Sequence, residues 1–210
     1  MSSLPRPSKI VCIGRNYVAH AAELGNEVPA EPLLFLKPPS ALIRMGEPIV
    51  IPPHAGRVDY EGEIGVLVGR RASHVSEADA LDFVEGILPL NDVTARELQR
   101  NDSQWSRAKG FDTFCPIGEA VPVGDVDLGR LSVVTRVNGE ERQRGSAAQM
   151  VFSIPFLISY ISRIMTLEPG DLLATGTPEG VGPLAPGDVV EVELPGLGTL
   201  TNPVVIGPER

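Results

Sequence analysis

Apolar residues in this chain come in short runs punctuated by glycine and proline, the pattern of a turn-rich, strand-dominated domain. Lys9 to Gly14 reads as a buried strand. Pro32 to Leu36 reads as another, ending on Lys37-Pro38-Pro39 because proline cannot donate to a sheet ladder. Glu47 to Pro53 predicts an edge strand running into a turn. Ile64 to Gly69 is a β-branched and aliphatic run closed by glycine. Ile87 to Leu90 is a second such run, which ends in Asn91-Asp92 and passes into a helix over Thr94 to Gln99. Leu131 to Val137 and Glu140 to Arg144 flank Asn138-Gly139, a strong hairpin signal. Leu172 to Ala174, Val189 to Leu194 and Leu197 to Val205 complete the predicted strands. Helical character is confined to a few places. Val18 to Leu24 is stopped by Gly25. Ser76 and Asp79 make a capping-box-like start to a helix over Glu77 to Val84. Ser146 is read as the cap of an amphipathic helix carrying Met150, Ile154, Leu157, Ile158 and Ile161, kinked or broken at Pro155.

Candidate chemistry begins where this pattern is broken by charge. Alternate strand residues share a face, so Glu61, Glu63, Gly65 and Leu67 fall on one side and Tyr60, Ile64, Val66 and Val68 on the other. Two carboxylates about 7 Å apart along the backbone then point the same way. Either they are solvated at an exposed strand start, or they are buried and need a cation, for which a hard divalent metal is the simplest choice. Asp92 sits at a strand-to-helix handover and either caps that helix, as Asn91 also can, or reaches the same point. Three acidic oxygen donors suit magnesium, manganese or calcium better than zinc. Glu191 and Glu193 repeat the Glu-x-Glu spacing on a strand that reads as solvent-facing.

Composition narrows the functional classes. The 210 residues allow one sizeable core, and 42% hydrophobic content favours a folded domain over disorder. The net charge of −9 comes without a basic stripe, which argues against nucleic acid as a partner. No apolar run nears the roughly 20 residues of a membrane helix, and Met1 to Lys9 lacks a signal-peptide core. Cys12 and Cys115 lie among apolar neighbours and read as buried thiols of a cytoplasmic protein.

Further candidates carry an ordinary and a functional reading side by side. His20 and Glu23 share a helix face, as a surface pair or as a carboxylate tuning an imidazole. Lys109, followed by Gly110 among aromatic neighbours, is a surface lysine or a partly buried amine. The Thr175 to Gly182 loop is a plain turn or a cradle of N–H groups and hydroxyls for an anion; it has no dinucleotide fingerprint and no Walker lysine.

In order along the chain, Gly14-Arg15-Asn16-Tyr17, Phe35-Leu36-Lys37-Pro38, Glu61-x-Glu63, Asp92-x-Thr94-Ala95-Arg96, Ala108-Lys109, Ser153-Ile154-Pro155 and Thr175-Gly176-Thr177-Pro178-x-Gly180-Val181-Gly182 resemble the fumarylacetoacetate hydrolase family. The likeness is greatest to its small single-domain members: acylpyruvases, oxaloacetate decarboxylases and hydroxyheptadienedioate isomerases. It implies an α+β, β-dominated fold, a mixed β-roll or sandwich, spanning the chain as one catalytic domain with residues 1–8 a flexible N-terminus. It also implies a homodimer. It implies Mg2+ or Mn2+ held by Glu61, Glu63 and Asp92, with Lys109 near the metal and Gln99 a site glutamine. His20 and Glu23 match a water-orienting dyad on a lid helix. Thr177, with Gly176, matches a segment that binds a substrate carboxylate, and Arg15 and Arg96 fall on the substrate side. The substrates implied are 2-oxo acids, 1,3-dicarbonyls or dicarboxylates, and a non-catalytic dicarboxylate-binding member is the alternative outside enzymes. The segment between Gln99 and Lys109 is shorter than in the acylpyruvase-like members.

Overall fold

The structure is a computed structural model, which describes residues 6–23, 25 and 27–208. Its largest sheet has eight strands. Leu33–Lys37, Ile10–Gly14, Leu172–Ala174, Gly62–Val68, Val84–Asn91, Cys115–Ile117 and Leu42–Arg44 lie side by side in that order, and Val121–Pro122 adds to Val84–Asn91. Ile10–Gly14 runs parallel to Leu172–Ala174, and Leu42–Arg44 parallel to Cys115–Ile117; the other pairings are antiparallel. A second sheet of five strands runs Glu140–Ser146, Ser132–Val137, Val189–Leu194, Gly198–Ile206, Ile49–Ile51. A small third sheet joins Gly182–Pro183, Val58–Tyr60 and Thr94–Ala95. This is the mixed, β-dominated α+β architecture expected, with Ile49–Ile51 on an edge as predicted.

The largest core lies between the two main sheets. Val11, Ile13, Ile64, Val66 and Val68 of one meet Val133, Val192, Leu194 and Leu200 of the other. Ile154, Leu157, Ile158 and Ile161 close that core from one stripe of the Ile154–Ile164 helix. Leu67 points the other way, into a cluster with Ile10, Cys12, Leu88, Leu90 and Cys115. Each such side chain stabilises the fold by roughly 1.5–3 kcal/mol. Because both faces of the large sheet are covered, every residue of Gly62–Val68 is buried. Tyr60 departs from the expected face. It packs with Val58 and Ile49 in a third cluster, because the strand is interrupted at Glu61.

Local signals were honoured to different degrees. Asn138 and Gly139 take φ of 53° and 80°, the left-handed pair of a tight hairpin turn. Ser76 does bond Asp79, but only a 3-10 turn, Ala80–Phe83, follows, since Val84 is drawn into the sheet. Ser146 closes a full capping box on another 3-10 turn, Ala147–Gln149. The amphipathic helix starts later, capped by Ser153. Pro155 therefore sits in its first turn, where a missing N–H costs nothing, and causes neither kink nor break. Thr94–Ala95 pairs as a strand and the following helix is Arg96–Asn101, with no side chain capping it, so neither Asn91 nor Asp92 is a cap. The first helix is Val18–Glu23; Leu24 lies outside the described residues. So do residues 1–5 of the expected flexible N-terminus, while Ser8 is held by Asp171. Among the described residues no helix is long and apolar enough to cross a membrane.

Candidate active site

The site is a product of strand register. Gly62–Val68 pairs antiparallel with Val84–Asn91, Gly62 facing Asn91, so the chain beyond each strand end brings Asp92 opposite Glu61. The Asp92 N–H donates to the Glu61 carbonyl at 2.9 Å. Glu61, Glu63 and Asp92 are at most 4% exposed, and one oxygen from each lies within 4.8 Å of the others. The three acids converge on one point.

Buried cations surround two of them. Lys109 Nζ donates to Glu61 Oε2 at 2.7 Å and to Asp92 Oδ2 at 2.6 Å. Lys37 Nζ donates to Asp92 Oδ1 at 2.6 Å, and Arg96 Nη2 to Glu61 Oε1 at 2.7 Å. Among the described residues, Glu63 accepts only the Gly176 N–H, at 2.7 Å. Burial alone would raise the Glu61 pKa, but Lys109 and Arg96 overcome it and hold the carboxyl well below the usual range. Burial, reinforced by Asp92 and Glu61, pushes Glu63 well up. Burial lowers the Lys109 pKa, yet Asp92 and Glu61 more than reverse it.

These residues fit a hard divalent cation. Asp59 is paired with Arg57 and Arg96, Glu61 with Arg96 and Lys109, and Asp92 with Lys37 and Lys109. Among the described residues, Glu63 is the one acid of the cluster with no cationic partner, and its raised pKa reflects that. A carboxyl in that position ionises only against a counter-charge, and all-oxygen donors select Mg2+, Mn2+ or Ca2+ over softer metals.

A cavity of about 420 Å³ opens above the cluster, lined by every predicted site residue except Gly176. His20 is buried, with Nδ1 3.4 Å from Glu23 Oε2. Desolvation lowers the His20 pKa, against the opposing pull of Glu61 and Glu23, so the ring is neutral at neutral pH. Glu23 also accepts the Gly180 N–H, tying the Val18–Glu23 helix to the Thr175 to Gly182 loop. Three residues expected on the substrate side are engaged within the protein. Arg96 spends Nε on Asp59 at 2.9 Å, Nη1 on Gln99 Oε1 at 2.6 Å and Nη2 on Glu61, so it works as an internal cation. The Thr177 hydroxyl donates to the Gly62 carbonyl at 2.9 Å and accepts from Gln143 at 2.8 Å. Gly176 turns its N–H to Glu63. Its φ of +99°, with Asn16 Cβ 2.8 Å from where a side chain would begin, requires glycine there.

Several contributors were missed from the sequence. Lys37 was seen only as the end of an apolar strand, although a charge closing such a run was its signal. Asp59 extends the acidic alternation to Asp59-x-Glu61-x-Glu63 and anchors Arg96. Gln143 accepts from the Gly62 N–H at 2.9 Å and so braces the strand start. Phe35, Arg100 and Trp105 complete the cavity wall.

Residues 9–205 match the family model described as fumarylacetoacetate (FAA) hydrolase C-terminal. The chain belongs to this family. Among family relatives, oxaloacetate decarboxylase of Dictyostelium discoideum is 44% identical over 197 residues, covering 91% of this chain and 90% of that protein. Oxaloacetate tautomerase FAHD1 of Arabidopsis thaliana is 46% identical over 195 residues, covering 90% and 87%. Among solved structures, 2-hydroxyhepta-2,4-diene-1,7-dioate isomerase from Mycobacterium marinum superposes with a TM-score of 0.88 at 44% identity, covering 97% of this chain and 77% of that one. Fumarylpyruvate hydrolase from Pseudomonas aeruginosa, in complex with Mn2+ and pyruvate, gives 0.90 at 34% identity, covering 96% and 91%.

Proposed function

We propose that this chain is a divalent-metal-dependent enzyme that acts on 2-oxo acids, hydrolysing the C–C bond of an acylpyruvate-type substrate. The observation that carries the reading is the convergence of Glu61, Glu63 and Asp92 beneath a cavity whose wall also holds the His20–Glu23 pair and Lys109. Glu61, Glu63 and Asp92 would hold Mg2+ or Mn2+, which would supply Lewis acidity toward a 2-oxo acid. Neutral His20, its Nδ1 turned to Glu23, keeps Nε2 to take a proton from the water that attacks the distal carbonyl. Glu23 fixes the tautomer. As the C–C bond breaks, its electron pair passes to the enolate, and the Lys109 ammonium offsets that charge. Burial of the cluster strengthens each of these interactions.

A second reading shares the enolate and omits the water: decarboxylation or tautomerisation of oxaloacetate, favoured by relatives bearing those names at 44–46% identity. Isomerisation of a hydroxymuconate-type dienol is the third, favoured by the M. marinum likeness. Turnover of acetylpyruvate, oxaloacetate and such a dienol with Mg2+, with Mn2+ and with EDTA separates them. Activity that survives EDTA would sink the metal-dependent reading. The setting proposed is a cytoplasmic homodimer. Sedimentation at a mass near 22.4 kDa, that of one chain, would refute the dimer.

A further inference from the structure

We infer that the Trp105 indole, seated on Gly14, is the wall that limits the acyl end of the substrate and so restricts this chain to short acyl groups. The inference rests on the acylpyruvate reading above and deepens it by naming the size of the apolar end.

The lining of the cavity is divided. Apart from Ile13, Gly14, Phe35 and Trp105, every residue that lines it is charged or polar. Ile13 belongs to the core between the sheets, which leaves the two aromatic rings as the apolar wall. Strand register places that wall beside the acid cluster. Leu33–Lys37 pairs with Ile10–Gly14, Leu33 facing Gly14 and Phe35 facing Cys12. Phe35 therefore shares a face with Lys37, which reaches Asp92. The Phe35 ring lies 5.0 Å from Lys109 Nζ and meets Trp105 edge-on at 5.2 Å. Trp105 is held one helical turn before Lys109, whose N–H donates to its carbonyl at 2.9 Å. An acylpyruvate whose keto acid sits at the three acids finds only this wall for its apolar group, because elsewhere the group would strip water from charged side chains.

Gly14 sets how far the indole stands off the strand. A side chain beginning at Gly14 would meet Trp105 Cζ3 at 2.9 Å and Leu33 Cδ2 at 3.2 Å. Gly14 is not in the left-handed region, so its backbone would accept alanine and only space is at issue. A methyl group there has to lift the indole and narrow the cavity, whereas removal of the indole has to widen it.

The test measures binding of pyruvate, 2-oxobutanoate, 2-oxopentanoate, 2-oxohexanoate and 2-oxooctanoate to the Mn2+-loaded protein by calorimetry, each affinity taken relative to pyruvate in the same variant. In the native protein the relative affinity should drop about 10-fold or more at one step of this series, the scale on which a filled pocket rejects added methylenes. Trp105→Ala should move the drop to a longer acid, and Gly14→Ala should move it to a shorter one or deepen it. The double variant should follow Trp105→Ala, because no indole remains to be displaced. A native series without a drop, a drop unmoved by Trp105→Ala, or a Gly14→Ala effect that persists in the double variant would overturn the proposal. Should Trp105→Ala fail to fold, Trp105→Phe should make the same shift in lesser degree, and no shift there would overturn the proposal equally. A flat length profile with pyruvate bound sinks this inference alone, whereas a native protein that binds no pyruvate sinks the reading of the keto-acid end with it.

Discussion

Two strands of this protein carry Glu-x-Glu, and they behave as opposites. In the first, Glu61 and Glu63 are buried with Asp92 against Lys37, Arg96 and Lys109. In the second, Glu191 and Glu193 are half-buried on Val189–Leu194, where Arg136 Nη1 meets Glu193 Oε2 at 2.6 Å in reach of water. The spacing is the same, although Glu61 lies in the break between Val58–Tyr60 and Gly62–Val68 while Glu191 and Glu193 sit within one strand. What differs is the cover: the first strand is central in a sheet packed on both faces, while the second turns one face outward. A carboxylate in water is an ordinary surface group, whereas one without water must be neutralised by a cation or a proton.

Substitutions sharpen the contrast, beginning with the largest effect. Glu63→Gln should abolish Mn2+ binding by calorimetry and cut turnover about 10³-fold, since several kcal/mol of transition-state stabilisation depend on the ion. Because Glu63 has no cationic partner, the EDTA-treated variant should melt no lower than the native protein. Glu193→Gln should leave both metal binding and turnover unchanged. Full metal affinity in Glu63→Gln would erase the distinction between the strands.

Asp92→Ala should lose about 3–5 kcal/mol in urea titration, because it strips buried counter-charge from Lys37 and Lys109. Loss of activity in that variant therefore reports partly on folding, and Asp92→Asn is the cleaner probe of the site. His20→Ala should lower C–C hydrolysis about 10²-fold or more while reducing oxaloacetate decarboxylation far less; equal losses would refute the water-activating role. Since burial lowers the His20 pKa, the base stays neutral to lower pH than a free imidazole. The acid limb of hydrolysis should fall below pH ~6.5.

Asp171 separates burial from metal binding. It is buried far from the acid cluster in sequence and accepts from Ser8, Lys9 and the Glu168 N–H. Burial raises its pKa, but those bonds outweigh the effect and hold it low. Its contribution is therefore present above the ordinary aspartate value of about 3.9 and is lost as pH falls through the lower folded value. Asp171→Asn should cost about 2 kcal/mol at neutral pH with metal affinity intact. Smallest of all, Glu193→Gln should change stability by less than about 1 kcal/mol, as expected of a solvated pair.

Much of this was legible in the chain, and the exceptions have causes. The hairpin was readable because Asn138-Gly139 encodes its own backbone geometry. The helix predicted after Ser76 was not formed, because a capping contact of local origin lost to sheet pairing at Val84. Pro155 was misread because its meaning depends on whether the helix begins before or at it. Lys37 and Asp59 escaped because each gains its role from a partner distant along the chain, 55 and 37 residues away respectively.

The sequence alone determined the strand-rich class and the order of the motifs, since periodicity, turn residues and local spacing are properties of neighbours along the chain. It also supplied a set of donors suited to a hard cation. Only the tertiary structure decided which Glu-x-Glu is buried, which arginine is already engaged and which acid lacks a cation. Those follow from register and from the exclusion of water, which depend on contacts between residues far apart in the chain.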